Sequence, residues 1–249
     1  MMSTADHNPN PPESRSESTQ WSIVLAASDA DIAERRAALA ELCQSYWQPL
    51  FAFVRKRGFD FHAAQDITQD FFAMLFSSDS LSRVSQEHSS FRAFLLVSMR
   101  NFISNWRRDA RAQKRGGQFT LLSLDFHRAE EHQSLEPFHA VTPEKLFEYQ
   151  WARSLIAHAL DKLRAEYEKA GKKTLFEILK PTLIEQESTP YRELAQERNL
   201  TEGAVKVAIH RLRRRYGDQL REEIARTLKA NEELEEEIQA LFRALRLEP

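Results

Sequence analysis

Apolar residues recur at three- and four-residue steps through most of this chain, and no stretch alternates apolar and polar residues over the length of a strand. The first pattern is typical of a helix with one buried face, and the second would indicate a half-buried strand. Only six glycines and nine prolines occur among 249 residues. The sequence therefore predicts an all-α fold, and a hydrophobic content of 42% is enough to form ordinary cores.

Shifts in composition divide the chain into five parts. Residues 1–20 are polar and rich in Ser and Pro, which predicts a disordered tail, and residues 118–141 lack a sustained period, which predicts a linker. We expect two small helical domains, one over residues 21–117 and one over residues 142–225. An acidic extension, residues 226–249, carries an apolar stripe that needs a partner surface.

Two interpretations of the extension stay open at this point. Its acidic helix could cover the cationic segment 206–215, or it could pack on the last domain.

The sequence argues against a disulfide-bonded protein, a cysteine-based zinc protein and a membrane-spanning protein. A single cysteine, Cys43, excludes an intramolecular disulfide and a cysteine-based zinc site. No apolar run approaches the roughly 18 residues of a membrane span, and the N-terminus has no hydrophobic signal core. We therefore expect a cytoplasmic protein with no membrane partner and no cofactor.

Residues 189–216 predict a helix-turn-helix. Thr189 and Pro190 suit the start of a short helix, residues 198–201 suit a turn, and Thr201 suits the cap of a longer second helix. One side of the second helix is apolar and the other is cationic, as in a helix that enters the DNA major groove. A solvated basic helix is the alternative. The candidate DNA-binding residues are Glu202, Gly203, Lys206, Val207, His210, Arg211, Arg213 and Arg214.

A second candidate surface lies on a helix predicted over residues 61–76. Asp66, Gln69 and Asp70 stand at i, i+3 and i+4 and so share one outward turn, where a cationic partner could dock. The alternative is a solvated helix face. A metal site formed by His62, Asp66 and Asp70 is a third possibility, but without further clustered ligands no metal site is predicted.

The helix predicted from residue 91 combines basic, amide and aromatic side chains. Cations can follow phosphates, amides can contact base edges and rings can stack on exposed bases, so the mixture suits unpaired nucleic acid. Trp106 lies on the apolar side, where a core position is expected. The candidate residues for unpaired nucleic acid are Arg100, Asn101, Asn105, Arg107, Arg108 and Arg111.

In this order the parts resemble a bacterial RNA polymerase sigma factor of the sigma-70 family, extracytoplasmic-function type, over residues 38–225. Three segments carry the resemblance: AAQDITQDFFAML at residues 63–75, FRAFLLVSMRNFISNWRR at residues 91–108 and YRELAQERNLTEGAVKVAIHRLRRR at residues 191–215. Phe94 stands where the family commonly has Trp, and the linker is longer than in many members.

The resemblance implies a role for each surface. Asp66, Gln69 and Asp70 would dock on the beta-prime clamp helices of core polymerase. The residues from Arg100 to Arg111 would lie at the minus-ten promoter element, with the loop before Ser90 forming part of a base pocket. The second helix of the helix-turn-helix would contact the minus-thirty-five element as duplex.

The function implied is promoter recognition and transcription initiation, without enzymatic activity or catalytic residues of its own. Core polymerase and promoter DNA are the expected partners, and whether an anti-sigma factor also binds is left open. The alternative is a helix-turn-helix regulator that acts without core polymerase.

Overall fold

The structure, a computed structural model, describes Trp21 and residues 32–76, 90–112, 140–184, 201–229 and 233–246. Within these ranges the chain is helical and has no β-strand, which confirms the all-α prediction. The helices are α1 (Ile32–Gln44), α2 (Trp47–Lys56), α3 (Phe61–Leu75), α4 (Phe91–Ala112), α5 (Pro143–Lys169), α6 (Lys173–Leu179), α7 (Pro181–Ile184), α8 (Glu202–Arg226) and α9 (Leu234–Leu245).

Some predicted features lie outside the described residues. They are the tail at residues 1–20, residues 118–139 of the linker, the loop immediately before Ser90 and the first helix of the helix-turn-helix with its turn.

Short-range signals in the sequence set the helix boundaries that could be predicted. Gly58 adopts a φ of 92° after α2, a conformation that costs glycine little. The Asp60 carboxylate then accepts the N–H of Ala63 at 2.8 Å and so caps α3. In the same way the Thr142 hydroxyl accepts the N–H of Lys145 at 3.3 Å and begins α5. Each cap joins a side chain to an N–H three residues later, so it depends on the local sequence alone.

The larger of two cores is rich in aromatic rings and draws on α1 to α4, the first half of α5, the end of α8 and α9. Phe91 lies at its centre, with its ring centroid 5.0 Å from that of Trp21 and 5.0 Å from that of Tyr46. The indole N–H of Trp151 on α5 donates to the Tyr46 hydroxyl at 3.1 Å. This hydrogen bond satisfies both buried polar groups while their rings fill the core.

The smaller core lies between α6, the second half of α5 and the first half of α8. Each of the three helices contributes buried apolar side chains, which recur at helical spacing and face the other two helices. They are Leu163, Phe176, Leu179, Val205, Ile209 and Leu212.

Helix α5 belongs to both cores. Phe147, Trp151 and Leu155 in its first half are buried in the larger core, whereas Leu163, about two turns further on, is buried in the smaller one. The predicted domain boundary at residue 142 lies next to the start of α5. The first half of α5 nevertheless packs with elements that come before the linker in the chain. The 27-residue helix links the two cores without a break.

The acidic extension supplies α9, which packs against α5 and α8. Leu241 and Ala244 on α9 are buried in the larger core. The cationic residues of α8 that α9 might have covered, such as Lys206, Arg211 and Arg214, remain exposed. The interpretation that the extension covers the cationic segment is therefore wrong for this structure, because the apolar stripe of α9 is already satisfied elsewhere.

A guanidinium at the junction of α4, α5 and α9 links these helices. Arg92 donates to both carboxylate oxygens of Glu237 on α9, at 2.8 and 2.9 Å, and also to Glu148 on α5. Its guanidinium lies 4.5 Å from the ring centroid of Trp151. Burial disfavours the charged form, but the hydrogen bonds and charges of Glu237 and Glu148 outweigh it and raise the pKa of Arg92.

Burial raises the pKa of Glu148. Arg92 opposes this rise, and the charge of Glu237 adds to it. The Glu148 carboxylate therefore depends on Arg92 to remain ionised in this enclosed position.

We predict that Arg92→Ala lowers the free energy of unfolding by about 3 kcal/mol, because it leaves two carboxylates with little solvent and no cation. Arg164→Ala is the matched control, since Arg164 pairs with Glu168 and Glu177 at the surface and should cost less than about 1 kcal/mol. Urea denaturation followed by circular dichroism measures both. Equal losses in the two variants would show that the Arg92 network does not stabilise the fold.

Candidate nucleic-acid interface

Helix α8 presents one side to the smaller core and the other to solvent. Thr201 caps it, with the hydroxyl accepting the N–H of Ala204 at 3.2 Å. Val205, Ile209 and Leu212 are buried. These contacts fix the rotation of α8 about its axis and so determine which residues reach solvent.

All eight residues predicted to contact duplex DNA lie on the exposed side of α8. Four of them are cations and one, Glu202, is an anion, so the side is net positive. Val207 is 50% exposed, although it is apolar. An exposed methyl-bearing side chain between cations suits contact with a thymine methyl group in the major groove.

The packing of the described residues does not require the glycine at the start of α8. Among those residues, a Cβ at Gly203 would meet only the hydroxyl of Thr201, at 4.0 Å, and the backbone there is helical. A bare backbone at this position leaves the first turn of α8 open to close approach by another molecule.

The basic residues at the end of the cationic segment have different partners. Arg213 donates to the backbone carbonyl of Thr182 at 2.8 Å, a partner that orients the side chain and carries no charge. Arg215 instead pairs with Glu166 on α5, at 2.9 and 2.6 Å. Hydrogen bonds from Arg215 hold the pKa of Glu166 below its usual range. Arg215 thus serves the fold, and Arg213 stays available to an anion.

A second polar face lies along α4. Arg100, Asn101, Asn105, Arg107 and Arg108 are all exposed there, whereas Ile103 faces the larger core. Arg111 falls within the helix, but its side chain lies outside the described residues.

Neutral groups orient two arginines of this α4 face, Arg107 and Arg108. The Arg107 guanidinium lies 4.9 Å from the ring centroid of Phe59 and donates to the backbone carbonyl of Arg57 at 3.1 Å. Arg108 donates to the side-chain oxygen of Asn105 at 2.9 Å. Because none of these partners is an anion, the positive charge is positioned but not neutralised.

Trp106, predicted as a core residue, is only partly buried. Its ring meets that of Phe59 edge to face at a centroid distance of 5.6 Å. Phe59 therefore packs against Trp106 as well as Arg107.

Arg57 is a member of this surface that the sequence did not reveal. It follows α2 and lines an open cleft with Arg107, Arg108, Ile103 and Ser104. Its position in the chain, beside Gly58, suggests only a helix end. A tertiary contact places it with the arginines of α4, since its backbone carbonyl accepts a hydrogen bond from Arg107, which is 50 residues away in the chain.

The acidic patch on α3 keeps the predicted arrangement. Asp66 is exposed, Gln69 and Asp70 are half-buried, and Ile67 and Phe71 fill the larger core on the opposite side. Burial raises the pKa of Asp70 above its ordinary value, and the charge of Asp66 raises it further. The patch is therefore a place where a cationic partner would relieve repulsion between carboxylates.

The described residues hold no group of three or more His, Cys, Asp or Glu side chains that could bind a metal ion. His62 is exposed and its ring meets that of Phe61 edge to face at 5.6 Å. In the part of the chain that the structure describes, no helix is long and apolar enough to cross a membrane.

Comparison of the chain with protein-family models, with curated proteins and with solved structures finds no match.

We predict that Asp66→Asn lowers the pKa of Asp70 toward its ordinary value, because it removes a like charge but leaves the burial in place. A carbon-13 NMR titration of the carboxyl groups measures the change. Asp161→Asn, on α5, is the control and should leave the pKa of Asp70 unchanged. An unchanged pKa in Asp66→Asn would show that the two carboxylates do not act as one patch.

The same shift has a defined effect on stability. Since the folded state raises the pKa of Asp70, the native chain binds this proton more tightly than the unfolded chain does. The contribution of Asp70 is present below its ordinary pKa and is lost as pH rises through the raised value.

Proposed function

We propose that this protein is a promoter-specificity factor of the sigma type, which binds core RNA polymerase and directs it to promoter DNA. The observation that carries the proposal is that one chain presents two exposed nucleic-acid surfaces of different chemistry. On α8 the surface is cationic with an apolar residue, and on α4 it combines amides with oriented arginines. A regulator that only binds duplex would need the first surface alone.

The α8 surface suits intact duplex. An exposed helix side of Lys and Arg can contact phosphates and the acceptor edges of guanine in the major groove. This surface would engage the minus-thirty-five element and would supply the closed complex.

The α4 surface suits unpaired strands. Asn101 and Asn105 offer amide donors and acceptors to base edges, while Arg107 and Arg108 offer cations to the backbone. Binding unpaired bases more tightly than paired ones shifts the equilibrium toward an open minus-ten region. The protein would thereby promote strand opening, and phosphodiester chemistry would remain with the polymerase.

The acidic patch on α3 supports the third element of the proposal, a polymerase contact. Its carboxylates would meet a cationic surface such as the beta-prime clamp helices. Such a factor would act in the cytoplasm with the polymerase.

The polymerase contact is tested by replacing Asp66, Gln69 and Asp70 together with Ala. We expect the fold to be retained and comigration with purified core polymerase in size-exclusion chromatography to be lost, because the only proposed electrostatic contact is removed. The control replaces Glu235, Glu236 and Gln239 with Ala on the exposed side of α9, which makes the same change in charge.

Comigration of the α3 variant at the level of the parent protein would contradict the polymerase assignment. If the parent binds promoter duplex specifically and never comigrates with core polymerase, the chain is a regulator that acts without it.

Substitutions on the two nucleic-acid surfaces should impair different steps of initiation. Replacing Lys206, Arg211 and Arg214 with Ala should weaken closed-complex binding, with roughly one unit of salt slope for each lost phosphate contact and about 1–3 kcal/mol for each lost base contact. Replacing Asn101, Asn105 and Arg108 should leave binding to minus-thirty-five duplex nearly unchanged while it reduces strand opening.

Permanganate footprinting on linear and pre-melted minus-ten templates measures the difference. A pre-melted bubble should restore much of the transcription lost by the α4 variant and little of that lost by the α8 variant. If the α4 variant opens linear duplex as well as the parent does, the minus-ten assignment fails.

A further inference from the structure

A cleft between the end of α2 and the middle of α4 is lined by three arginines. Arg57, Arg107 and Arg108 surround it, with Ile103 and Ser104 completing an open volume of about 430 Å³. A cleft lined by several guanidinium groups is a site for an anion, because each group offers paired N–H donors in a fixed plane.

The arginines of this cleft are held in place mainly by uncharged groups. The Arg57 guanidinium lies 5.6 Å from the ring centroid of Phe53, and Arg107 lies over Phe59. A carbonyl and an amide oxygen supply the hydrogen bonds to Arg107 and Arg108. The cleft therefore carries a concentration of positive charge whose described partners are mainly neutral.

Among the described residues, one carboxylate lies close to the arginines of α4 and of the cleft. Glu144, on the first turn of α5, lies 2.8 Å from the Arg100 guanidinium and 4.0 Å from that of Arg57. Its side chain is 30% exposed. Partial burial favours the neutral form of Glu144, but the hydrogen bond and charge of Arg100, with a backbone hydrogen bond, hold its pKa below the ordinary value. Glu144 is consequently an anion at neutral pH.

The position of Glu144 follows from its neighbours in the chain. Thr142 caps α5 and Pro143 occupies its first position, so Glu144 is fixed in the first turn, where the helix dipole also favours a negative charge. The larger core fixes the direction of α5 through Phe147 and Trp151. The carboxylate is therefore presented to the arginines by the fold and not by a flexible segment.

We infer that Glu144 occupies the place of a backbone phosphate and that a single nucleic-acid strand bound along α4 displaces it, with Arg57 as a further phosphate contact. This rests on the proposed function of α4 and adds two residues to it. A carboxylate and a phosphodiester each carry one negative charge and accept paired hydrogen bonds from arginine. Glu144 thus competes with the strand and lowers the affinity of the free chain for it.

The test uses the full-length chain and a fluorescein-labelled 20-nucleotide single strand, with affinity measured by fluorescence anisotropy over a range of salt concentrations. Glu144→Gln should bind about threefold more tightly at low salt, the range of a partly exposed ion pair, and the gain should shrink as salt rises. In the double variant Arg57→Gln, Glu144→Gln the gain should largely disappear.

The matched control is Glu177→Gln, which makes the same change in net charge next to Arg164 on another surface. Its affinity for the strand should equal that of the parent. An equal gain in both single variants would overturn the inference, because net charge alone would explain it. An unchanged affinity in Glu144→Gln, or no detectable strand binding by any variant, would overturn it as well.

Failure here is distinguishable from failure of the proposed function. Glu144 lies apart from the acidic patch on α3, so comigration with core polymerase should be the same for Glu144→Gln and the parent. If comigration persists and the strand affinities are equal, the competition by Glu144 is excluded while the sigma-type function stands.

Discussion

The burial of α5 in two cores is the constraint on which the arrangement of this molecule depends. Phe147 and Trp151 in its first half pack among the rings of the larger core, and Leu163 in its second half packs in the smaller core, against α6 and α8. Any rotation of α5 about its axis would expose both sets at once, so the two cores restrain one another. The faces of α4 and α8 are consequently displayed by a common support.

The sequence could predict what is decided within one or two helical turns. Caps such as Asp60 and Thr142 depend on a side chain and an N–H three residues away, and apolar stripes such as that of α8 repeat within a single helix. Periodicity identifies the buried side of a helix but not the helix that covers it. For that reason the sequence identifies the apolar stripe of the extension and leaves two surfaces open for it, and the packing of α9 against α5 and α8 decides for the last domain.

The candidate sites divide in the same way. Asp66 and Asp70 could be grouped from sequence because they share a turn of α3, and the cations of α8 could be grouped because they share a side. Arg57 and Glu144 could not be added to the α4 face, since they reach it from α2 and α5 through tertiary packing. A surface that combines several helices leaves no periodic signal in any one of them.

Arginine has two roles in this chain, and the kind of group that it contacts distinguishes them. Where arginine holds helices together its partner is a carboxylate, as for Arg92 with Glu237 or Arg215 with Glu166. Where it faces a proposed nucleic-acid surface its partners are a ring, an amide or a carbonyl, as for Arg107 and Arg213. A neutral partner fixes the side chain and leaves its charge for an incoming phosphate, which reduces the entropy lost on binding. Arg100 is an exception on the α4 face, because it is paired with Glu144, and Arg57 lies 4.0 Å from the same carboxylate. If the rule holds, that pair belongs to the unbound state, and the carboxylate must move before Arg100 can contact a strand.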